Sequence, residues 1–333
     1  MSGIPLTRCQ FVIPFAELHT EIGASTAPLL AKFRLPTSLD DKADHYVPIL
    51  QAINFAEAAQ RSQGIQDFGF LISRRLQFHH LSETMQRAIS YSPTLFIALQ
   101  QVCKLAPFED TNLNVWIEFG KEHVKICSSL RGTIGLPHLE HSQWLQNIFP
   151  IYIVRQFAGP DWTPATIAFE AQYTPTRETL AFWPSTRFLS GQRASWIDVP
   201  ISLLSLPNPA SITLPEFLPK ETKPPNDDII NSLKLMLPAY LDEGPLTVAQ
   251  IAEIARLSVR SFQRRLSNAG FSYSDLLDVA RFENAAKLLR DTNAKIIDVA
   301  FCSGYTDPAH FTRAFRRISG TTPREYRDSC KLS

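Results

Sequence analysis

The run from Lys295 to Arg327 leaves the chain few choices of local fold, because it spells helix, tight turn, helix. Ile296, Val299 and Ala300 recur at the i, i+3, i+4 spacing of an apolar stripe, and Gly304 supplies the left-handed residue that ends the first helix. Asp307 followed by Pro308 starts the second: a carboxylate caps the free amides, and the fixed proline φ suits the first helical position. The spacing puts Phe311, Phe315 and Ile318 on the buried side, so Ala309, Thr312, Arg313 and Arg316 face the other way. A short helix with an apolar back and an arginine-bearing front suits a DNA major groove.

The segment from Ile297 through Arg317, continued by Gly320 to Arg327, resembles the signature of AraC/XylS-family transcription regulators, without a gap over more than thirty positions. A second helix-turn-helix lies upstream. Thr247 opens a helix with Val248, Ile251 and Ala252 inward, and Ser258 caps another with Phe262 and Leu266 toward the core. The segment from Ser274 to Asp291, apolar at Leu277, Ala280, Ala285, Leu288 and Leu289, reads as a rigid helix between the units. The resemblance implies a DNA-binding domain of seven helices: the second and third form one reader, the fifth and sixth another, and the fourth separates them. The expected spacing of two readers on one DNA face is about 34 Å.

The positions that align with the family's base contacts are Arg260, Gln263 and Arg264 in the first unit and Pro308, Ala309 and Arg313 in the second. Arginine pairs geometrically with guanine and glutamine with adenine, so the first unit is expected to supply most of the direct readout. Arg313 is the strong reader of the second unit, while Ser258, Thr312, Arg316 and the amides at both helix starts are expected phosphate contacts. The alternative reading of these arginines is a solvated face, which applies more to Arg316 and Arg317; Arg265 falls toward the core side. Arg256 stands where the family commonly has glycine, and a positive φ there would cost on the order of 1 kcal/mol. His310 reads as a helix-surface or packing residue, with no partner that would make it catalytic.

The first half reads as a mixed α and β domain, residues 1–208. Tyr46 to Gln60 is apolar at helical spacing, Phe68 to Ile72 is a short buried segment, and Ser92 with Pro93 is expected to open a helix carrying Leu95, Phe96, Leu99, Val102 and Cys103 on one face. That face is either core or the wall of a ligand site. From Leu113 the period changes to two and predicts a β-hairpin; Ser142 to Arg155 reads as helix, and Thr166 to Val199 as short strands broken by Pro175 and Pro184. Asp67 to Leu76 and Ser92 to Leu95 make this half similar to the ligand-binding domain of AraC-type regulators.

Six prolines between Leu206 and Asp228 forbid a continuous helix and predict a semi-rigid connector over 209–226. The third segment, 227–333, is the DNA-binding domain and begins with a helix to Leu241, inward at Ile229, Ile230, Leu233, Leu237 and Leu241, that Pro238 kinks or ends. The expected fold is thus an α+β sensor domain followed by an all-α domain with two helix-turn-helix units joined by a linker helix.

At 333 residues and 44% apolar composition, the length supports about two packed domains. The net charge of +1 decides nothing, but from Gly304 to Arg327 five arginines face only Asp307 and Glu325, a local balance of +3. No apolar run approaches the roughly 20 residues that span a bilayer, and Met1 to Pro5 does not open a secretion signal, so the cytoplasm, with nucleoid association on DNA, is the expected location. Cys9, Cys103, Cys127, Cys302 and Cys330 include no Cys-x-x-Cys pair and read as reduced structural thiols. His138 and His141 around Glu140 form too small a set for a metal site, and no cofactor or catalytic motif is found.

The expected function is sequence-specific transcription regulation, as an activator responding to a small effector, amphipathic or an amino acid. The expected partners are double-stranded DNA, RNA polymerase and a second copy in a homodimer. One competing reading is an alkyl-transfer repair enzyme using Cys9 or Cys103. Another is an N-terminal domain that only dimerises; a ligand-induced rise in Tm would distinguish that case.

Overall fold

The computed structural model describes residues 3–39, 41–133, 135–136, 138–209 and 228–331. Strand β1 (Leu6–Arg8) pairs antiparallel with β2 (Tyr46–Pro48), and α1 (Ile13–Glu21) and α2 (Thr26–Lys32) lie between them in the chain. Four helices follow: α3 (Ile49–Gln63), α4 (Phe68–Ser73), α5 (Glu83–Ser90) and α6 (Leu95–Leu105). Helix α3 starts three residues later than the periodicity suggests, because Tyr46 and Val47 are taken by the strand pair. Helix α6 is capped by Thr94, whose hydroxyl accepts from the Ile97 amide, so Ser92 and Pro93 lie outside it, contrary to the sequence reading.

The period-two run is borne out. β3 (Leu113–Phe119) and β4 (His123–Leu130) pair antiparallel from Leu113 opposite Leu130 to Phe119 opposite Val124. After α7 (Glu140–Ala158) come β5 (Thr166–Ala168), α8 (Arg177–Phe182), β6 (Arg187–Leu189) and β7 (Ser195–Pro200). The five strands lie in the order β3-β4-β7-β5-β6, with β5 and β6 parallel. Helix α8 interrupts what reads as strand sequence: Asp67 accepts hydrogen bonds from Tyr173, Thr176 and the Thr179 hydroxyl, which ties the start of α8 to the start of α4.

Among the described residues the C-terminal half is all helical: α9 (Ile229–Met236), a 3-10 turn at Leu237–Tyr240, α10 (Val248–Ile254), α11 (Val259–Asn268), α12 (Tyr273–Asp291), α13 (Ile296–Cys302), α14 (Pro308–Ser319) and α15 (Pro323–Lys331). These are the seven α-helices expected. Pro238 ends α9 in the tighter turn, since it cannot donate to the helix ladder. Two inward assignments fail. Leu276 rather than Leu277 is buried in α12, and Ile318 near the end of α14 is 41% exposed, because the real helical phase drifts from a simple i+3, i+4 count. The connector expected at 209–226 falls, except for Pro209, outside the described residues.

The halves are not separate bodies. One apolar core contains Leu6, Val47, Phe55 and Phe68 from the first half together with Leu233, Met236, Ile251, Phe262 and Leu276 from the second. Gly3 sits so close to α9 that a Cβ there would lie 2.6 Å from the Asp228 carbonyl oxygen, and the next amide, of Ile4, donates to Ser232 Oγ at 3.0 Å. The second helix-turn-helix has its own core of Ala285, Leu289, Val299, Phe311 and Phe315. Helix α12 runs through both.

Candidate nucleic-acid interface

In the first unit, Ser258 Oγ accepts from the Ser261 amide and starts α11. Phe262 and Leu266 are buried behind the helix, while Arg260, Gln263 and Arg264 are exposed on its front and Arg265 is half-buried. In the second unit, Asp307 accepts from the amides of Ala309 and His310 at 2.9 and 3.1 Å and starts α14. Phe311 and Phe315 form its back; Phe315 is ringed by Phe282, Phe311 and Tyr326 with centroids 5.0 to 5.7 Å away. Ala309, Arg313 and Arg316 are exposed, Pro308 and Thr312 half-buried. Neither front is covered by the N-terminal half.

The two turns are hydrogen-bonded alike. The Arg256 amide donates to Glu253 O and the Leu257 amide to Ala252 O; the Gly304 amide donates to Phe301 O and the Tyr305 amide to Ala300 O. Arg256 is therefore the structural counterpart of Gly304, and its φ of 55° is left-handed, as the sequence comparison of the two turns suggests. At Gly304 a second demand operates besides its φ of 77°: a Cβ would stand 2.7 Å from the Leu241 carbonyl oxygen. Glycine there allows the second turn to touch the end of the Leu237–Tyr240 segment.

Helix α12 positions the second unit through side chains that the sequence reading did not single out. Arg281 Nη2 donates to Gly304 O at 3.1 Å while its guanidinium lies 5.1 Å above the Tyr305 ring, and Asn284 Nδ2 donates to Cys302 O at 2.9 Å. Their i, i+3 spacing on one helix face is the signal that was available. Arg317 pairs with Asp278 of α12 at 2.8 Å, which takes it out of the front face. Arg313 lies 3.9 Å from Asp307 and keeps 71% of its side chain exposed, so it remains free to reach a groove. The hydroxyls of Ser258 and Thr312 are already engaged, with Ser261 and with Pro308 O, leaving lone pairs and nearby amides for an anion.

The histidines around Glu140 each have a partner on α3. His138 Nε2 lies 3.1 Å from Glu57 and His141 Nε2 lies 2.9 Å from Gln60 Oε1. Among the described residues no set of three or more His, Cys, Asp or Glu side chains could hold a metal ion. Burial raises the Cys9 thiol to about 12 and the Cys103 thiol to about 11, which keeps both protonated and weakly nucleophilic. No helix among these residues is long and apolar enough to cross a membrane.

Residues 251–329 match the family model of a helix-turn-helix domain, and residues 23–208 match that of the N-terminal arabinose-binding domain of the AraC transcription regulator. The chain belongs to the AraC family of transcription regulators. The chain is 22% identical over 334 residues to the HTH-type transcriptional regulator VirS of Mycobacterium tuberculosis, covering 97% of this chain and 96% of VirS. It is 33% identical over 97 residues to the HTH-type regulator VqsM of Pseudomonas aeruginosa, 29% of this chain and 30% of VqsM. The crystal structure of the regulator CdpR from P. aeruginosa aligns at a TM-score of 0.37 with 17% identity, over 82% of this chain and 91% of that one. This AraC-family chain is a DNA-binding transcription regulator with an N-terminal ligand-binding domain.

Proposed function

We propose that the chain is an effector-responsive activator whose α11 and α14 enter two adjacent major-groove segments of one duplex. Arg260, Gln263, Arg264, Ala309 and Arg313 would meet base edges, and Ser258, Thr312 and Arg316 the phosphates. The observation that carries this reading is the pairing of an exposed polar front with a fully buried aromatic back on both helices, Phe262 in one and Phe311 in the other. A helix seated that way presents side chains without rearranging its core.

The division into an N-terminal sensor at 1–208, a connector at 209–226 and a DNA-binding domain at 227–333 belongs to the same proposal, as do a cytoplasmic location, a homodimer and contact with RNA polymerase. We assign no catalytic role: buried Cys9 and half-buried Cys103, both kept protonated, do not suit alkyl transfer. Coupling would run through the shared core, since a ligand that changes the packing of β1, β2 or α3 changes the seat of α9. It does so only if it binds one arrangement more tightly than the other.

The test is selection of binding sites from a random duplex library by the full-length chain. Two conserved half-motifs about one helical turn apart are expected. A single short motif, or loss of the same half in both Arg264→Ala and Arg313→Ala, would contradict two readers.

A further inference from the structure

A cavity of about 90 Å³ lies where the sensor's cores meet the one that continues into the DNA-binding half. Its wall is mostly apolar: Phe15 and Ala56 from the shared core, Val102, Ile126 and Phe149 from the sensor core, Ile53 from a third cluster. Among the described residues no lysine or arginine lines it. Its volume is below the ~150 Å³ of an engineered apolar cavity that takes benzene, so an occupant has few heavy atoms.

Most polar groups in the wall are already committed, but two buried atoms, Asp110 Oδ1 and His141 Nδ1, have no hydrogen-bond partner. Glu109 accepts from Arg8 Nη1 and from the Ser82 amide, both at 2.9 Å. Ser128 donates to Gln146 at 3.0 Å, and His141, held neutral by burial with its pKa down to about 4, bonds Gln60. Asp110 is bonded by the Thr7 side chain, but its buried Oδ1 has no hydrogen-bond partner. Burial pushes this carboxyl up to about 7, the state expected of an acid waiting for a counter-charge.

We propose that the cavity takes a small primary amine with a short apolar tail, the ammonium bound by Asp110 and the tail by the Phe15, Ala56 and Phe149 wall. This assignment rests on the sensor reading of the N-terminal half and names the chemistry of its site. A cation answers the unpartnered oxygen and neutralises the carboxylate in the same contact. An anion of the same size would meet two acidic residues and, among the described residues, no lysine or arginine. Thr7 belongs to β1, which also carries Leu6 into the core shared with α9, so occupation of this site bears on the DNA-binding half.

The experiment is calorimetric titration and thermal unfolding of the full-length chain with n-butylamine, n-butanol and butyrate, at concentrations up to about 10 mM, as befits a ligand of few atoms. A pH of about 8 keeps an alkylammonium charged. Butylamine is expected to bind and raise Tm, with the alcohol and the acid weaker by at least about ten-fold. Asp110→Asn is expected to abolish the preference while remaining folded, and Ala56→Leu, which fills the tail site and keeps Asp110, to weaken butylamine by a similar factor. Equal binding of butanol, tighter binding of butyrate, no binding of butylamine, or unchanged butylamine affinity in Asp110→Asn each overturns the amine assignment. If butylamine binds as expected and the affinity for the selected operator does not move, the amine site stands and the sensor reading fails.

Discussion

Glu243 closes on Lys42 at 2.9 Å across the junction between the two halves of the chain. The same carboxylate accepts from the Thr37 amide and hydroxyl at 2.7 and 2.5 Å and from the Ser38 amide at 3.0 Å. A single side chain just before α10 thus gathers donors from one N-terminal loop and anchors the first helix-turn-helix to it. Partial burial opposes ionisation, but these hydrogen bonds outweigh it and lower the Glu243 pKa to about 2. Glu243→Ala is expected to lower stability by about 1–3 kcal/mol, the range for hydrogen bonds to a charged group, and to speed amide exchange at Thr37 and Ser38. Unchanged exchange there would mean the contact holds nothing.

The pH dependence of that junction has a definite sign. A carboxyl with a depressed folded pKa contributes stability above its ordinary value near 4.5 and loses it as pH falls toward about 2. Glu243→Gln should flatten the acid limb of a urea-unfolding series between those pH values. A variant that follows the parent through this window would assign the acid sensitivity to other groups.

Asp110 acts in the opposite direction. Its raised folded pKa of about 7 favours the folded state below the ordinary carboxyl value and withdraws that contribution as pH rises through 7. Asp110→Asn is expected to be more stable than the parent at a pH of about 8, by roughly 1–3 kcal/mol, the cost of burying an unsatisfied polar group. Equal midpoints at acid and alkaline pH would show that the carboxyl is stabilised by something else.

Arg256→Gly sets two backbone effects against each other. Releasing a left-handed arginine at φ 55° gains about 1–2 kcal/mol, and the glycine's unfolded-state freedom costs about 0.5–1 kcal/mol. A net gain of about 0.5 kcal/mol is expected, read as a higher urea midpoint at constant slope. Gly304→Ala has no such compensation, because φ and the Leu241 contact are both violated; a loss of at least about 2 kcal/mol is expected from chemical unfolding.

Arg313→Ala should weaken binding to the selected operator by about 1–3 kcal/mol and leave the unfolding midpoint unchanged, since the side chain is exposed and tied only loosely to Asp307. An unaltered operator affinity removes Arg313 from the set of readers. Asp307→Ala, by contrast, deletes a cap and should cost about 0.5–2 kcal/mol of stability.

The second helix-turn-helix was legible because its signals are short-range: Gly304, Asp307 and Pro308 act within one turn of their own positions. Arg256 could be read as strained from the same local logic. Errors arose where a pattern had to be extrapolated, as at Leu277 for Leu276 or at Ile318, because a small phase error grows along a helix. The contact of Ile4 with Ser232, 228 residues apart, leaves no trace in local spacing. Nor could composition reveal that Asp110, rather than any of the other acidic residues, would be buried beside Thr7 with an oxygen unanswered. The aromatic backs of α11 and α14 were visible; the side chains on α12 that aim the second turn were not, since Arg281 and Asn284 read as ordinary helix surface.

Helix α12 begins in the core that joins the sensor to the first unit and ends in the separate core of the second. Its 19 residues make a rod about 28 Å long. A tilt of a few degrees at the sensor end therefore swings the far helix-turn-helix by ångströms, enough to bring α14 into or out of step with the next turn of a duplex while each unit keeps its own packing. The spacing between the two footprints, more than the affinity of either, is what such a rod would govern.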